Sequence, residues 1–284
     1  MNTRWHFALV LLSGWPLCAR AADAPAPVYE VDAVKDVAYY EGDAADPVKH
    51  KLDLYLPKGK KDFPVLLFIH GGAWISGDKN YFGVYSAIGQ RFAKQGVGAV
   101  VTNYRLSPKV QHPEHIKDVA RAFAWTHKNI AKHGGKPDQL FVCGHSAGGH
   151  LTALLATNEE YLKAEGLSLK AIKGAIPMSG IYQISGGFFA GVFGKDEAQH
   201  KAASPQAHVA AGGPPFLIVY ADKDMPACDR NSLAFCQALK ESKGSAAVCE
   251  VKNRNHMSII MNFSREQDPA LDAVLAFITR CCAD

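Results

Sequence analysis

Two stretches of this 284-residue chain, Val65–Ile69 and Leu217–Tyr220, are apolar at every position. A strand with one face in water alternates apolar and polar residues, whereas one without a polar face must be covered on both sides. Other short apolar runs alternate with longer amphipathic ones. Strands are expected at Val37–Tyr40, Lys51–Leu56, Pro64–Ile69, Val97–Thr102, Gln139–Cys143, Ile172–Met178, Pro215–Tyr220 and Ala246–Val251. Helices are expected at Phe82–Gln95, Ile116–His133, Ala147–Ala156, Arg230–Ser242 and Ala270–Cys281. Two early strands followed by βαβα alternation predict an α/β fold: a mainly parallel, eight-stranded sheet with helices on both faces. The chain is 48% hydrophobic, and 22–284 has enough apolar material for one domain with one core. The irregular stretch is 181–213, with Gly186-Gly187-Phe188-Phe189 and Val192-Phe193-Gly194 near its start. It is expected to be a lid-like insertion that brings aromatics over a pocket, or equally a surface excursion packed by its own phenylalanines.

The formal charge of +4 comes without any block of Lys and Arg, which argues against a nucleic-acid partner. The N-terminus has the layout of a signal peptide over residues 1–21: Arg4, an apolar run from Phe7 to Leu17, then Ala19-Arg20-Ala21. Cleavage near Ala21 would deliver the protein to the periplasm or the medium. The run is too short for a permanent anchor, so no stable membrane insertion is expected. Of seven cysteines, Cys18 would leave with the signal. Cys143 lies in an apolar run and is expected to be a buried thiol. Cys228, Cys236, Cys249, Cys281 and Cys282 would meet an oxidising environment, with no pairing legible. No Cys or His spacing matches a zinc site, and neither metal nor cofactor is expected.

Four segments carry chemistry. Gly144-His145-Ser146-Ala147-Gly148 follows one strand and opens a helix. A nucleophile on so sharp a turn needs small residues two before and two after it, and the turn exposes the hydroxyl at a helix N-terminus. His70-Gly71-Gly72-Ala73-Trp74 also follows a strand, and its glycines let backbone N–H groups approach a substrate. Gly72, Ala73 and Ala147 are therefore the expected oxyanion-hole donors. Asp222 and Asp224 both follow the next-to-last strand, and Asp224, one turn beyond its end, is preferred as the acid. His256 lies at a strand end late in the chain, which completes the order Ser146, Asp224, His256. His145 and His150 flank the serine and are expected to pack or to line the pocket. Ser258, beside His256, is the rival serine. Trp74, Phe188, Phe189 and Met257 are candidate substrate-binding residues.

Together with Asn103-Tyr104-Arg105-Leu106-Ser107-Pro108, His112-Pro113, Asp118, Trp125 and Ser179-Gly180-Ile181-Tyr182, these motifs resemble the α/β-hydrolase esterases. The resemblance runs from about Val48 to the last helix. Within that superfamily the chain is most like the branch grouping hormone-sensitive-lipase-like carboxylesterases, acetylxylan/feruloyl esterase-like proteins and kynurenine formamidases. Ala73 replaces a third glycine of the lipase-like members, and Ala221 stands where relatives often carry glycine. The resemblance implies an α/β-hydrolase fold and a serine carboxylesterase acting through an acyl-enzyme on Ser146. Small-molecule esters with small or aromatic acyl groups, carbohydrate-linked ones among them, are the expected substrates. The same triad suits arylformamidase chemistry on amides of the N-formylkynurenine type. A non-catalytic hydrolase-like binding protein would commonly lack a triad member, and all three are present.

Overall fold

The computed structural model describes residues 27–187 and 189–283. The proposed signal segment and Phe188 lie outside the described residues. One eight-stranded sheet comprises β1 (Val31–Ala38), β2 (Lys51–Pro57), β3 (Phe63–Ile69), β4 (Gly98–Thr102), β5 (Gly135–His145), β6 (Gly174–Met178), β7 (Phe216–Lys223) and β8 (Ala246–Asn255). Its spatial order is β1-β2-β4-β3-β5-β6-β7-β8. The β1–β2 and β2–β4 pairs are antiparallel, and all others are parallel. The helices are α1 (Val84–Lys94), α2 (Glu114–Asn129), α3 (Ala147–Thr157), α4 (Glu160–Lys163), α5 (Ala190–Phe193), α6 (Glu197–Ala203), α7 (Cys228–Glu241), α8 (His256–Asn262) and α9 (Pro269–Ala283).

The fully apolar β3 run is explained by two cores. Val65, Leu67 and Ile69 join α2, α3 and α7 on one face. Leu66 and Phe68 join α1, α8 and α9 on the other. This double cover also locates the site. Neighbouring β3 and β5 leave the sheet toward opposite faces, β3 into α1 and β5 into α3, so a crevice opens at their carboxyl ends. Ile69 stands opposite Gly144 in register, which brings the His70 loop against the Ser146 turn.

Several boundaries differ from expectation. β1 starts at Val31 rather than Val37, because this solvated edge strand presents mostly exposed side chains and so has no apolar signature. β8 runs on from Val251 to Asn255, paired with β7 although most of its side chains are exposed or half-buried. α1 begins at Val84 because Phe82 and Gly83 take positive φ, 45° and 77°. The 181–213 insertion is not a bare loop: it carries α5, α6 and a 3₁₀ turn at Pro205–His208. No helix among the described residues is long and apolar enough to cross a membrane. No disulfide forms among the described residues. Burial pushes the Cys228 thiol up to about 12 and raises Cys143 further, which keeps both protonated and unreactive.

Candidate active site

Ser146 caps α3 with φ 57° and ψ −117°, a conformation that L-residues hold only where the surroundings impose it. Those surroundings are backbone. A Cβ on Gly144 would strike the Gly148 carbonyl, and one on Gly148 would strike the Ile69 and His70 carbonyls. A Cβ on Gly149 would come within 2.7 Å of Met178 O. The small residues around Ser146 are therefore required by β3 and β6 pressing on the turn. Ser146 N–H in turn donates to Met178 O at 2.9 Å.

His256 is the first residue of α8, not part of a longer loop. A capping box holds that helix start: the Asn255 side chain accepts from Met257 N and Ser258 N, and Ser258 Oγ accepts from Asn255 N at 2.8 Å. Ser258, the rival serine, is thus engaged in the cap. From α8 the His256 ring reaches Ser146 Oγ with Nε2 at 2.9 Å and Asp224 Oδ1 with Nδ1 at 2.7 Å. Asp224 also accepts from Ser179 Oγ at 2.5 Å, Ala221 N at 3.0 Å and Met225 N at 2.8 Å. Burial alone would raise its pKa. The hydrogen bonds from His256 and Ser179, then from the two backbone N–H groups, outweigh burial and hold it well below the usual carboxylate range. Asp222 points elsewhere and accepts the Arg254 N–H at 3.0 Å, tying β7 to β8. The support that Ser179 gives Asp224 has no signal in the sequence beyond the Ser-Gly pair that follows β6.

The His70 loop takes three successive positive φ values, 117° at Gly72, 52° at Ala73 and 61° at Trp74. Gly71 lets the loop close on Ser146, since a Cβ there would lie 3.3 Å from Ser146 Cβ. Gly71 N–H is spent on Tyr85 Oη at 3.1 Å, whereas those of Gly72, Ala73 and Ala147 meet no acceptor among the described residues. The Asn103–Pro108 motif buttresses this loop. Tyr104 stacks on His70 at 4.4 Å, Ser107 N–H donates to Trp74 O at 2.9 Å, and Asn103 Nδ2 donates to Asp78 at 2.9 Å. Arg105 anchors the motif to fully buried Asp118, which also accepts from His50 and Arg121.

The candidate pocket residues separate. Trp74 is not an exposed wall: it is 1% exposed. Its indole packs edge-on against His150, Phe189 and Phe193 at 5.0, 5.1 and 4.8 Å, because the 181–213 insertion closes over it. Phe189 is half-buried in that cluster, while Met257 stands 54% exposed on α8. His150 Nε2–H donates to Ala203 O at 2.7 Å and so joins α3 to the insertion. Among the described residues no group of three His, Cys, Asp or Glu side chains is placed to hold a metal ion.

A serine on a β5–α3 turn, an acid after β7 and a histidine after β8, on a sheet of this order, define an α/β-hydrolase. More particularly, the chain belongs to the BD-FAE family, whose model matches residues 52–239. Over 213 residues it is 34% identical to esterase LipQ of Mycobacterium tuberculosis, covering 68% of this chain and 50% of that protein. It is 27% identical to a probable isoprenylcysteine alpha-carbonyl methylesterase, ICMEL1 of Arabidopsis thaliana, covering 79% of this chain and 51% of that protein. The chain thus spans about half the length of these curated relatives. Among solved structures, a truncated carbohydrate esterase from gut microbiota superposes with a TM-score of 0.76 at 20% identity, covering 92% of this chain and all of that one. Esterase B from Lactobacillus Rhamnosis gives 0.75 at 21%, covering 92% and 88%. At these identities the two structures share the fold.

Proposed function

We propose that this chain is a serine carboxylesterase for small or aromatic acyl esters, and that Ser146, His256 and Asp224 are its catalytic triad. The observation that carries the reading is the unbroken chain Ser146–His256–Asp224, at 2.9 and 2.7 Å, beside the unspent N–H groups of Gly72, Ala73 and Ala147. The BD-FAE match and the esterase names of the relatives support it. Ser146 Oγ attacks the ester carbonyl as Nε2 of His256 takes its proton. Asp224, held ionised, accepts the Nδ1–H and stabilises the resulting imidazolium. The three N–H groups receive the oxyanion, where loss of one donor costs about 10²–10³ in rate. The leaving alcohol takes the proton from Nε2, and water repeats the cycle on the acyl-enzyme. Carbohydrate-linked alcohols are part of the proposed range, as is export through residues 1–21, which N-terminal sequencing of secreted protein starting near Ala22 would support.

The test is fluorophosphonate labelling with a hydrolysis panel of p-nitrophenyl acetate, methyl ferulate, an acetylated sugar and N-formylkynurenine. Wild type should label at Ser146 and turn over the esters faster than the formamide. Ser146→Ala should neither label nor exceed a residual of roughly 10³–10⁴ over water. An unlabelled wild type, inert to the whole panel, defeats the proposal.

A further inference from the structure

The residue before the nucleophile is spent on the base. His145 closes β5 and is 2% exposed. Its Nε2 lies 2.8 Å from the backbone carbonyl oxygen of His256, and the two rings lie 4.7 Å apart, tilted by 43°. A carbonyl oxygen can only accept, so His145 carries its proton on Nε2. We infer that His145 is a positioning residue of the proposed triad, holding the His256 backbone so that the imidazole stays within reach of Ser146. The inference rests on the esterase reading above.

The bond matters because of what it joins. His256 belongs to α8, a seven-residue helix at the end of an edge strand, while Ser146 sits at the centre of the sheet. Asp224 steers the far side of the His256 ring, yet the bond at Nδ1 leaves the ring free to swing about it. The His145 bond adds a second point of control on the backbone. It closes a ring from Ser146 through its covalent neighbour His145, across to the His256 carbonyl, along the imidazole and back to Ser146 Oγ. Space for the ring exists because Gly71 lacks a Cβ, which would lie 3.0 Å from His145 O and 3.3 Å from His145 Nδ1. Charge is also suited to the role. Burial, followed by proximity to His256, lowers the His145 pKa to about 3, so the ring stays neutral and does not oppose the imidazolium forming beside it.

His145→Leu fills the space without a donor, and His145→Gln returns an N–H at a similar reach from Cβ. With p-nitrophenyl acetate, His145→Leu should lose about 10²-fold in kcat with KM nearly unchanged, the scale of an ångström's misplacement of a catalytic group. His145→Gln should recover most of that loss, and both variants should melt cooperatively. Nitrogen-15 shifts of the wild-type ring should show the Nε2–H tautomer at neutral pH. A His145→Leu enzyme that keeps its kcat, or a wild-type ring protonated on Nδ1, overturns the assignment. Wild-type protein inert toward every ester refutes the esterase reading itself, an outcome distinct from an active wild type with an active His145→Leu form.

Discussion

Replacing Asp224 by asparagine probes how tightly the acid is determined by its surroundings. Each carboxylate oxygen receives a backbone N–H, Oδ1 from Met225 at 2.8 Å and Oδ2 from Ala221 at 3.0 Å. Asparagine has a single acceptor oxygen, so either orientation turns its NH₂ against one of these N–H groups. At the buried Ala221 N–H that conflict should cost about 1–3 kcal/mol of stability, the penalty of an unsatisfied buried donor, whereas water can reach the Met225 N–H at an exposed residue. With the NH₂ toward His256, Nδ1 loses its acceptor and the ring adopts the tautomer with Nε2 protonated, unable to take the Ser146 proton. With the NH₂ toward Ser179, the tautomer survives but the charge facing the imidazolium is gone. The expected result is a fall in kcat of about 10⁴, as in a serine protease with the same change. Asp222→Asn keeps a side-chain oxygen to accept the Arg254 N–H, removes only a charge away from the triad, and should stay within about a few-fold of wild type. Pre-steady-state hydrolysis of p-nitrophenyl acetate measures both. If Asp222→Asn lost more than Asp224→Asn, the assignment of the acid would be wrong.

Gly148→Ala should abolish soluble, active protein, because the added Cβ meets the Ile69 and His70 carbonyls, and backbone cannot yield as a side chain does; an active, normally melting variant would remove the steric reading of the turn. Asp118→Asn should be destabilising in a pH-dependent way. Although burial works against it, hydrogen bonds from His50 and Arg105 bring the Asp118 pKa down to about 2. The ionised form therefore contributes stability fully above the unfolded carboxylate's pKa of about 3.9, and that contribution is lost as pH falls toward 2. Urea unfolding should show a gap between wild type and Asp118→Asn of about 3–5 kcal/mol at pH 6, the cost of breaking a buried charge network, narrowing below about pH 4. A gap constant down to pH 2.5 would contradict this.

The sheet and the tight turn at Ser146 were legible in the chain because both obey short-range rules. A run such as Val65–Ile69 has no polar face, and its partners need not be known to infer cover on both sides. Gly144, Ser146 and Gly148 sit within one turn, so the steric demand is written in five consecutive residues. Edge strand β1 and the short helices α4, α5, α6 and α8 had no such signature, since they are held by pairing, capping and packing against distant segments. The same holds for side-chain roles. Asp222 and Asp224 both follow β7, and only the placement of Ser179, Ala221 and α8 decides which of them meets His256. Trp74 is aromatic and next to a glycine loop whichever way it faces, and the closure of 181–213 over it determines that it is buried. His145 is one histidine beside a serine until β8 returns, 111 residues later, to offer it the carbonyl of His256. Local sterics are encoded in neighbouring residues, whereas hydrogen-bond partners across the sheet exist only after the chain has folded.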